Sequence, residues 1–141
     1  GGEPFRFPGQ RGPFRPQLPW HVQVTFAPRV EEVIRRPATV AKRADFPVVY
    51  IQGNCLGWRD GYVRELMEHI PVHSLGTCLK NGIYPEGKGI VEVLSSYHFV
   101  LALENSGYPD FVTERVFNSW IAGSIPIYYG APNVDEQAPA P

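Results

Sequence analysis

The sequence has few of the features that mark a membrane-spanning, metal-binding or nucleic-acid-binding protein. Its 141 residues contain no run approaching 18 consecutive apolar residues and no apolar signal-peptide core near the start, so we expect any membrane anchor to lie outside this chain. Thirteen Lys and Arg against fourteen Asp and Glu give a net charge of −1, which argues against nucleic acid as a partner. No Asp-x-Asp pair and no His or Cys cluster with metal-ligand spacing occurs, so no metal is expected.

Cysteine is also scarce, because the chain has two, Cys55 and Cys78, with 22 residues between them. In an oxidising compartment they can form a disulfide, which would stabilise the fold by roughly 3 kcal/mol on the loop-entropy model. Two free, partly buried thiols are an equal alternative, because the distance between the two Cα atoms cannot be read from sequence.

The composition predicts one domain of ordinary size whose terminal segments differ from it in composition. Hydrophobic residues make up 43% of the chain, enough for a core, whereas the 15 prolines and 14 glycines concentrate towards the termini. We predict a flexible Pro/Gly/Arg/Phe-rich leader over 1–19, a linker or domain remnant over 20–47, and a folded domain over 48–141. Within the linker, His21–Phe26 can form a strand and Glu31–Arg36 one or two helical turns.

The most informative stretch runs from Tyr97 to Pro132 and is predicted to form a strand, a polar loop, a helix and a second strand. Turn-forming residues follow the first strand, and the apolar period then changes from that of a strand to that of a helix. Phe117 and Trp120 are predicted core residues on this helix. The expected elements are a strand over His98–Leu103, a helix from Val112 that Asp110 or Thr113 caps and Gly123 ends, and a strand over Ile125–Tyr129.

A similar unit precedes it, with a predicted strand over Val48–Gln52, a polar loop over Gly53–Gly61 and a helix that Pro71 stops. Units of this kind form a parallel sheet and bind ligands beyond the carboxyl ends of the strands. A helix N-terminus followed by Arg115 suits a phosphate, and a carboxylate at Glu114 suits sugar hydroxyls. The pattern therefore predicts a Rossmann-like α/β fold that binds a phosphorylated sugar.

These residues resemble the donor-site signature of the α1,3-fucosyltransferases, glycosyltransferase family ten. The stretch LENSGYPDFVTERVFNSWIAGSIPIYYGAP follows that signature in order over about thirty residues, and Val48–Pro132 follows the family more loosely. Two positions depart from it, because family members usually have lysine where this chain has Arg115 and tyrosine where it has Phe111. The resemblance implies a GT-B glycosyltransferase of which this chain is a truncated piece: it covers most of the C-terminal, donor-binding half, with the GDP-fucose-binding domain over 48–141 expected to be incomplete at its C-terminus.

The resemblance also implies an activity in protein glycosylation: inverting transfer of fucose from GDP-fucose to a hydroxyl of an acceptor glycan or glycoprotein, in an α1,3-type linkage. It assigns donor contacts to Arg59, Asn105, Phe111, Glu114 and Arg115, with no further cofactor and no metal. Two cations and a helix N-terminus can stabilise the charge that develops on the departing GDP. No catalytic residue is identified, since the family's general base lies in the N-terminal domain. The family further implies the luminal side of the Golgi membrane, if the protein is eukaryotic.

Two alternatives remain open on the sequence. A degenerate or fragmentary donor-binding domain would bind a nucleotide, or nothing, without catalysis. A protein-interaction module would use the leader over 1–19, with the sheet as its support.

Overall fold

The computed structural model describes residues 40–138, in which parallel strands alternate with helices. The predicted leader over 1–19, the strand over His21–Phe26 and the helical turns over Glu31–Arg36 lie outside the described residues. The elements are β1 (Val48–Tyr50), α1 (Gly57–Met67), β2 (Val72–Ser74), α2 (Ile90–Leu94), β3 (Phe99–Leu103), α3 (Glu114–Ile121), β4 (Ile125–Tyr129) and a 3-10 turn (Val134–Gln137).

The four strands form one parallel sheet in the order β2-β1-β3-β4. This confirms the predicted α/β fold, a parallel sheet with flanking helices. The chain passes from β1 to β2 in one direction and from β3 to β4 in the other, so the direction of winding reverses between β1 and β3. Parallel sheets bind ligands at such a switch point, beyond the carboxyl ends of the two central strands.

Alternate residues of the central strands pack against different helices, which places helices on both faces of the sheet. On one face, Val63 of α1 packs with a cluster that includes Tyr50 and Leu103. On the other face, α2 packs against Val49 and Val100. Residues of α3 cover Ala102 on that same second face. Phe117 and Trp120 are partly buried against this third cluster, in keeping with the predicted core.

Helix α1 begins earlier than the sequence pattern predicts. The loop expected over Gly53–Gly61 is wrong in its second half, because residues from Gly57 onward are helical. The Asp60 N–H donates to the Leu56 carbonyl at 2.9 Å, and the helix buries Arg59 and Val63, one turn apart. Glycines at the first and fifth positions of α1 lower the local helix propensity, so burial rather than propensity sets the start of α1.

Helix α3 lies close to its predicted position. Of the two candidate caps, Thr113 is the N-cap, and its hydroxyl accepts a long contact of 3.5 Å from the Arg115 N–H. Gly123 follows the helix with a φ of +66°, the left-handed conformation expected there. Helix α2 was not predicted, since five residues are too few to show a helical period.

The residues just before β1 contact the domain at the amino-terminal side of the sheet. Lys42 Nζ donates to the Ser95 carbonyl at 2.8 Å and to the Gly123 carbonyl at 3.1 Å. Phe46 stacks on His73 with ring centroids 4.4 Å apart. The predicted domain start at Val48 stays a prediction. Lys42 and Phe46, which make these contacts, precede that residue in the sequence. Within residues 40–138, none of the helices has the length and apolar character needed to cross a bilayer.

Candidate functional site

A cleft of about 250 Å³ opens beside the carboxyl ends of β1 and β3, at the switch point of the sheet. Its polar walls come from the segment after β1 and from the first turns of α3, so residues distant in sequence meet there. The apolar floor comes from α2 and β3. The lining residues are Ile51, Gln52, Gly53, Ile90, Leu94, Val100, Leu101, Glu114, Arg115 and Asn118.

Arg59 is completely buried at this same edge of the sheet. Its Nη1 donates to the Leu103 carbonyl at 3.1 Å and to Asn105 Oδ1 at 2.6 Å, and its Nη2 donates to the Asn54 carbonyl. These acceptors are all uncharged, and the buried Nε has no hydrogen-bond partner. Loss of hydration lowers the pKa of Arg59, and repulsion from the Arg115 guanidinium lowers it further, whereas Tyr50 and the Asp60 carboxylate oppose the shift. Arg59 thus joins the loops after β1 and β3, and within residues 40–138 its guanidinium has no ion-pair partner.

Arg115 is held by a buried carboxylate that immediately follows β3. Its Nη1 donates to Glu104 Oε2 at 3.1 Å and to Thr113 Oγ1 at 2.8 Å. Glu104 is fully buried, and it also accepts from the Thr113 N–H at 2.8 Å and from the Thr113 hydroxyl. Burial raises the pKa of Glu104, and the Thr113 hydrogen bonds and the Arg115 charge oppose that shift. This network ties the end of β3 to the start of α3.

Gln52 approaches Arg115 from the carboxyl end of β1. With its amide turned so that the oxygen faces the guanidinium, Gln52 Oε1 accepts from Arg115 Nε at 2.7 Å and from Nη2 at 3.2 Å. The three nitrogens of Arg115 therefore have protein partners in the segments that follow β1 and β3 and in the cap of α3. Since an arginine has five N–H donors, one Nη2 hydrogen remains for a ligand.

The other predicted site residues fall on the same loops with different exposures. Glu114 is half-buried and lines the cleft beside Arg115. Asn105 is exposed, and because Arg59 donates to its oxygen, its Nδ2 group faces elsewhere. Phe111 is half-buried, but it is not among the residues that line this cleft. Its predicted donor contact stays a prediction.

The sequence predicts that Arg59 and Arg115 converge on one cleft, and in the structure both side chains contact the loop that follows β3. Arg59 contacts residues 103 and 105, and Arg115 contacts Glu104 between them. Of the two guanidinium groups, Arg115 lines the cleft whereas Arg59 is enclosed by protein. Their roles as donor contacts stay predictions.

Sequence reasoning missed Gln52 and Glu104 as parts of this site. Glu104 directly follows β3 and Gln52 lies two residues after β1, and polar residues at the carboxyl ends of parallel strands are typical of a ligand site, so sequence position could have indicated both. Their side-chain partners, however, belong to α3 and its cap: the partner of Gln52 lies 63 residues away along the chain, and those of Glu104 lie 9 and 11 residues away.

Cys55 and Cys78 form a disulfide, with their Cα atoms 5.4 Å apart. The bridge joins the loop after β1 to the segment after β2. The Asp60 carboxylate lies near both sulfur atoms, and within residues 40–138 this is the one His/Cys/Asp/Glu group close enough to suggest a metal site. Because the sulfur atoms are bonded to each other, they are not available as thiolate ligands.

Comparison with known proteins identifies relatives of this chain. The family model described as glycosyltransferase family 10 (fucosyltransferase) C-term matches residues 41–141. Alpha-(1,3)-fucosyltransferase B of Drosophila melanogaster is 36% identical over 110 residues, covering 69% of this chain and 25% of that protein. GDP-fucose protein O-fucosyltransferase 3 of Danio rerio is 40% identical over 99 residues, covering 62% of this chain and 22% of that protein.

A solved structure shows the same relationship in three dimensions. The crystal structure of an alpha1,3-fucosyltransferase with GDP-fucose aligns with a TM-score of 0.59 and 25% identity, covering 66% of this chain and 28% of that one. The chain thus spans about a quarter of the length of its relatives. The family match over residues 41–141, together with these relatives, confirms the resemblance seen in the sequence: the chain belongs to glycosyltransferase family 10, the fucosyltransferases.

Proposed function

We propose that this chain is the donor-binding part of a fucosyltransferase and that it binds GDP-fucose at the switch-point cleft. The related crystal structure carries GDP-fucose, and two groups of relatives are named as fucosyltransferases. The reaction is transfer of fucose, with inversion, to a hydroxyl of an acceptor glycan or glycoprotein. GDP-fucose is then the donor substrate, with no separate cofactor and no metal assigned.

The observation that carries this proposal is the unpaired positive charge of Arg59. Among the described residues, no carboxylate lies within ion-pair distance of its guanidinium. A buried charge is costly unless an opposite charge or a full set of hydrogen bonds compensates it. Because the Arg59 guanidinium is enclosed by protein, it favours an anionic ligand at this edge through its positive charge rather than by direct contact, and a diphosphate has the required charge.

We propose that the other predicted contact residues bind different parts of the donor. The α3 N-terminus and the remaining Nη2 hydrogen of Arg115 suit one phosphate oxygen, so we expect a single hydrogen bond from this guanidinium rather than two. Glu114 can accept hydrogen bonds from ribose or fucose hydroxyls, and the exposed Nδ2 of Asn105 can donate to the donor. Phe111 stays assigned to the donor pocket by resemblance.

We assign no general base to this chain and expect it in the acceptor-binding part of the fucosyltransferase. We further propose that the protein acts on the luminal side of the Golgi membrane. The Cys55–Cys78 disulfide supports an oxidising compartment.

Calorimetric titration of the 141-residue chain tests the proposal, with GDP-fucose as ligand and GDP-mannose and UDP-galactose as controls. We expect binding that is selective for GDP-fucose. Glu114→Ala should weaken it about tenfold, the loss expected for one hydrogen bond to a charged group. Glu92→Ala is the matched control, because Glu92 is an exposed carboxylate on α2, paired with Lys88.

The result separates the open alternatives. No binding of any of the three nucleotide sugars by a chain that circular dichroism shows to be folded would overturn the proposal. Binding without selectivity would favour a degenerate nucleotide-binding domain.

A further inference from the structure

We propose that Gln52 is a positioning residue that orients the Arg115 guanidinium towards the donor diphosphate. This inference rests on the proposed function of the cleft and deepens it, because none of the predicted donor contacts includes Gln52. The argument depends on how rigidly Gln52 is held, on which atoms of Arg115 it contacts, and on what those contacts leave free.

The backbone of Gln52 is fixed by the segment that follows β2. Its carbonyl accepts hydrogen bonds from the Thr77 N–H at 2.8 Å and the Cys78 N–H at 3.1 Å. Gly76 packs so closely that a Cβ atom there would lie 2.3 Å from the Gln52 carbonyl oxygen. The Cys55–Cys78 bridge closes the same region. Gln52 is therefore a rigid point at the carboxyl end of β1, and it is only 4% exposed.

The side chain of Gln52 completes a two-sided clamp on Arg115. Glu104 and Thr113 hold Nη1 from one side, and Gln52 Oε1 holds Nε and Nη2 from the other. An arginine held by Nη1 alone can still turn about its long side chain, whereas contacts on both sides fix the plane of the guanidinium. The clamp leaves one Nη2 hydrogen with a defined direction, and Gln52 and Arg115 line the same cleft.

The test compares GDP with guanosine, which has no phosphates, as ligands of the 141-residue chain. Gln52→Leu keeps the side-chain size but removes the acceptor. If Gln52 acts through Arg115, Gln52→Leu should weaken GDP binding roughly fivefold to tenfold and leave guanosine binding unchanged. In the double variant Gln52→Leu/Arg115→Ala, GDP should bind no more weakly than in Arg115→Ala alone, because the two changes then remove the same interaction.

Ser124→Ala serves as the structural control. It removes buried hydrogen bonds to the carbonyls of Leu94 and Tyr97 at the amino-terminal side of the sheet. We expect it to lower the melting temperature without changing the dissociation constant for GDP. Should Gln52→Leu fail to fold, Gln52→Asn retains a polar amide but is one methylene too short, and the same loss of GDP binding is expected.

Each other outcome has a distinct meaning. Equal weakening of GDP and guanosine, or additive losses in the double variant, would show a general structural role and overturn the proposal. Unchanged GDP binding in Gln52→Leu would overturn it as well, while leaving the donor site intact. Failure of the unmodified chain to bind GDP would instead overturn the proposed function, and this inference with it.

Discussion

Replacing Glu104 by glutamine should destabilise the domain strongly, although the change is nearly isosteric. Glu104 is fully buried and accepts from Thr113 and Arg115, and the amide would point an NH₂ group at donors. Removing one partner of a buried ion pair costs about 3–5 kcal/mol. The Arg115 side chain remains 20% exposed, so water can hydrate part of its charge. We therefore expect a loss of about 2–3 kcal/mol in the free energy of unfolding.

Thermal unfolding at pH 7, followed by circular dichroism, measures this effect. For a domain of this size the expected loss lowers Tm by roughly 10–20 °C. Glu92→Gln, an exposed ion-pair partner on α2, is the control and should change the free energy of unfolding by less than about 0.5 kcal/mol. The double variant Glu104→Gln/Arg115→Gln should recover part of the loss, because no unpaired charge remains. Equal Tm values for Glu104→Gln and Glu92→Gln would refute the reasoning.

Three further predictions concern the surroundings of the site. Cys55→Ser/Cys78→Ser should lower the free energy of unfolding by about 3 kcal/mol, and a reducing agent should lower the Tm of the unmodified chain but not of the variant. Gly76→Ala should cost about 1–3 kcal/mol in thermal unfolding, because the new methyl would meet the Gln52 backbone, which cannot turn aside; an unchanged Tm would contradict that packing. The Arg43 hydrogen bond lowers the pKa of the Asp45 carboxyl from 3.8 to about 2, so the ionised carboxylate stabilises the fold above pH 3.8 and this stabilisation is lost as the pH falls towards 2. The difference in Tm between the unmodified chain and Asp45→Asn should therefore narrow between about pH 4 and about pH 2. A difference in Tm that stays constant with pH would contradict the ion pair.

The order of elements could be predicted from the sequence where the apolar period was long enough to read. Strand β4 lies over the predicted Ile125–Tyr129, and β3 starts one residue after its predicted start. Short or polar elements were harder to predict, because α2 has only five residues and the start of α1 has Gly57 and Gly61 at its first and fifth positions. The burial of Arg59 on α1 depends on contacts with β3, and no local pattern contains that information.

The candidate site could be predicted only in part, because many of its contacts join residues that are distant in sequence. The residue types at Glu114 and Arg115 and their place at a helix start indicated sugar and phosphate chemistry, and the family resemblance added the identity of the donor. The contact between Gln52 and Arg115 spans 63 residues of sequence, and Glu104 was predicted only as the first residue of the polar loop after the strand. The spacing of strands and helices predicts at which edge of the sheet the site lies. The hydrogen bonds that orient each side chain join residues far apart in sequence, so they can be read only from the structure.

The most direct test of the account is where GDP-fucose binds on this chain. Amide chemical shifts of the isotopically labelled 141-residue protein, followed by NMR during titration with GDP-fucose, report that location. We predict that the largest shifts fall on Gln52, Gly53, Asn105, Thr113 and Glu114, at the carboxyl ends of β1 and β3. Shifts concentrated at the amino-terminal ends of the strands, or none at saturating ligand, would contradict the assignment of the donor site.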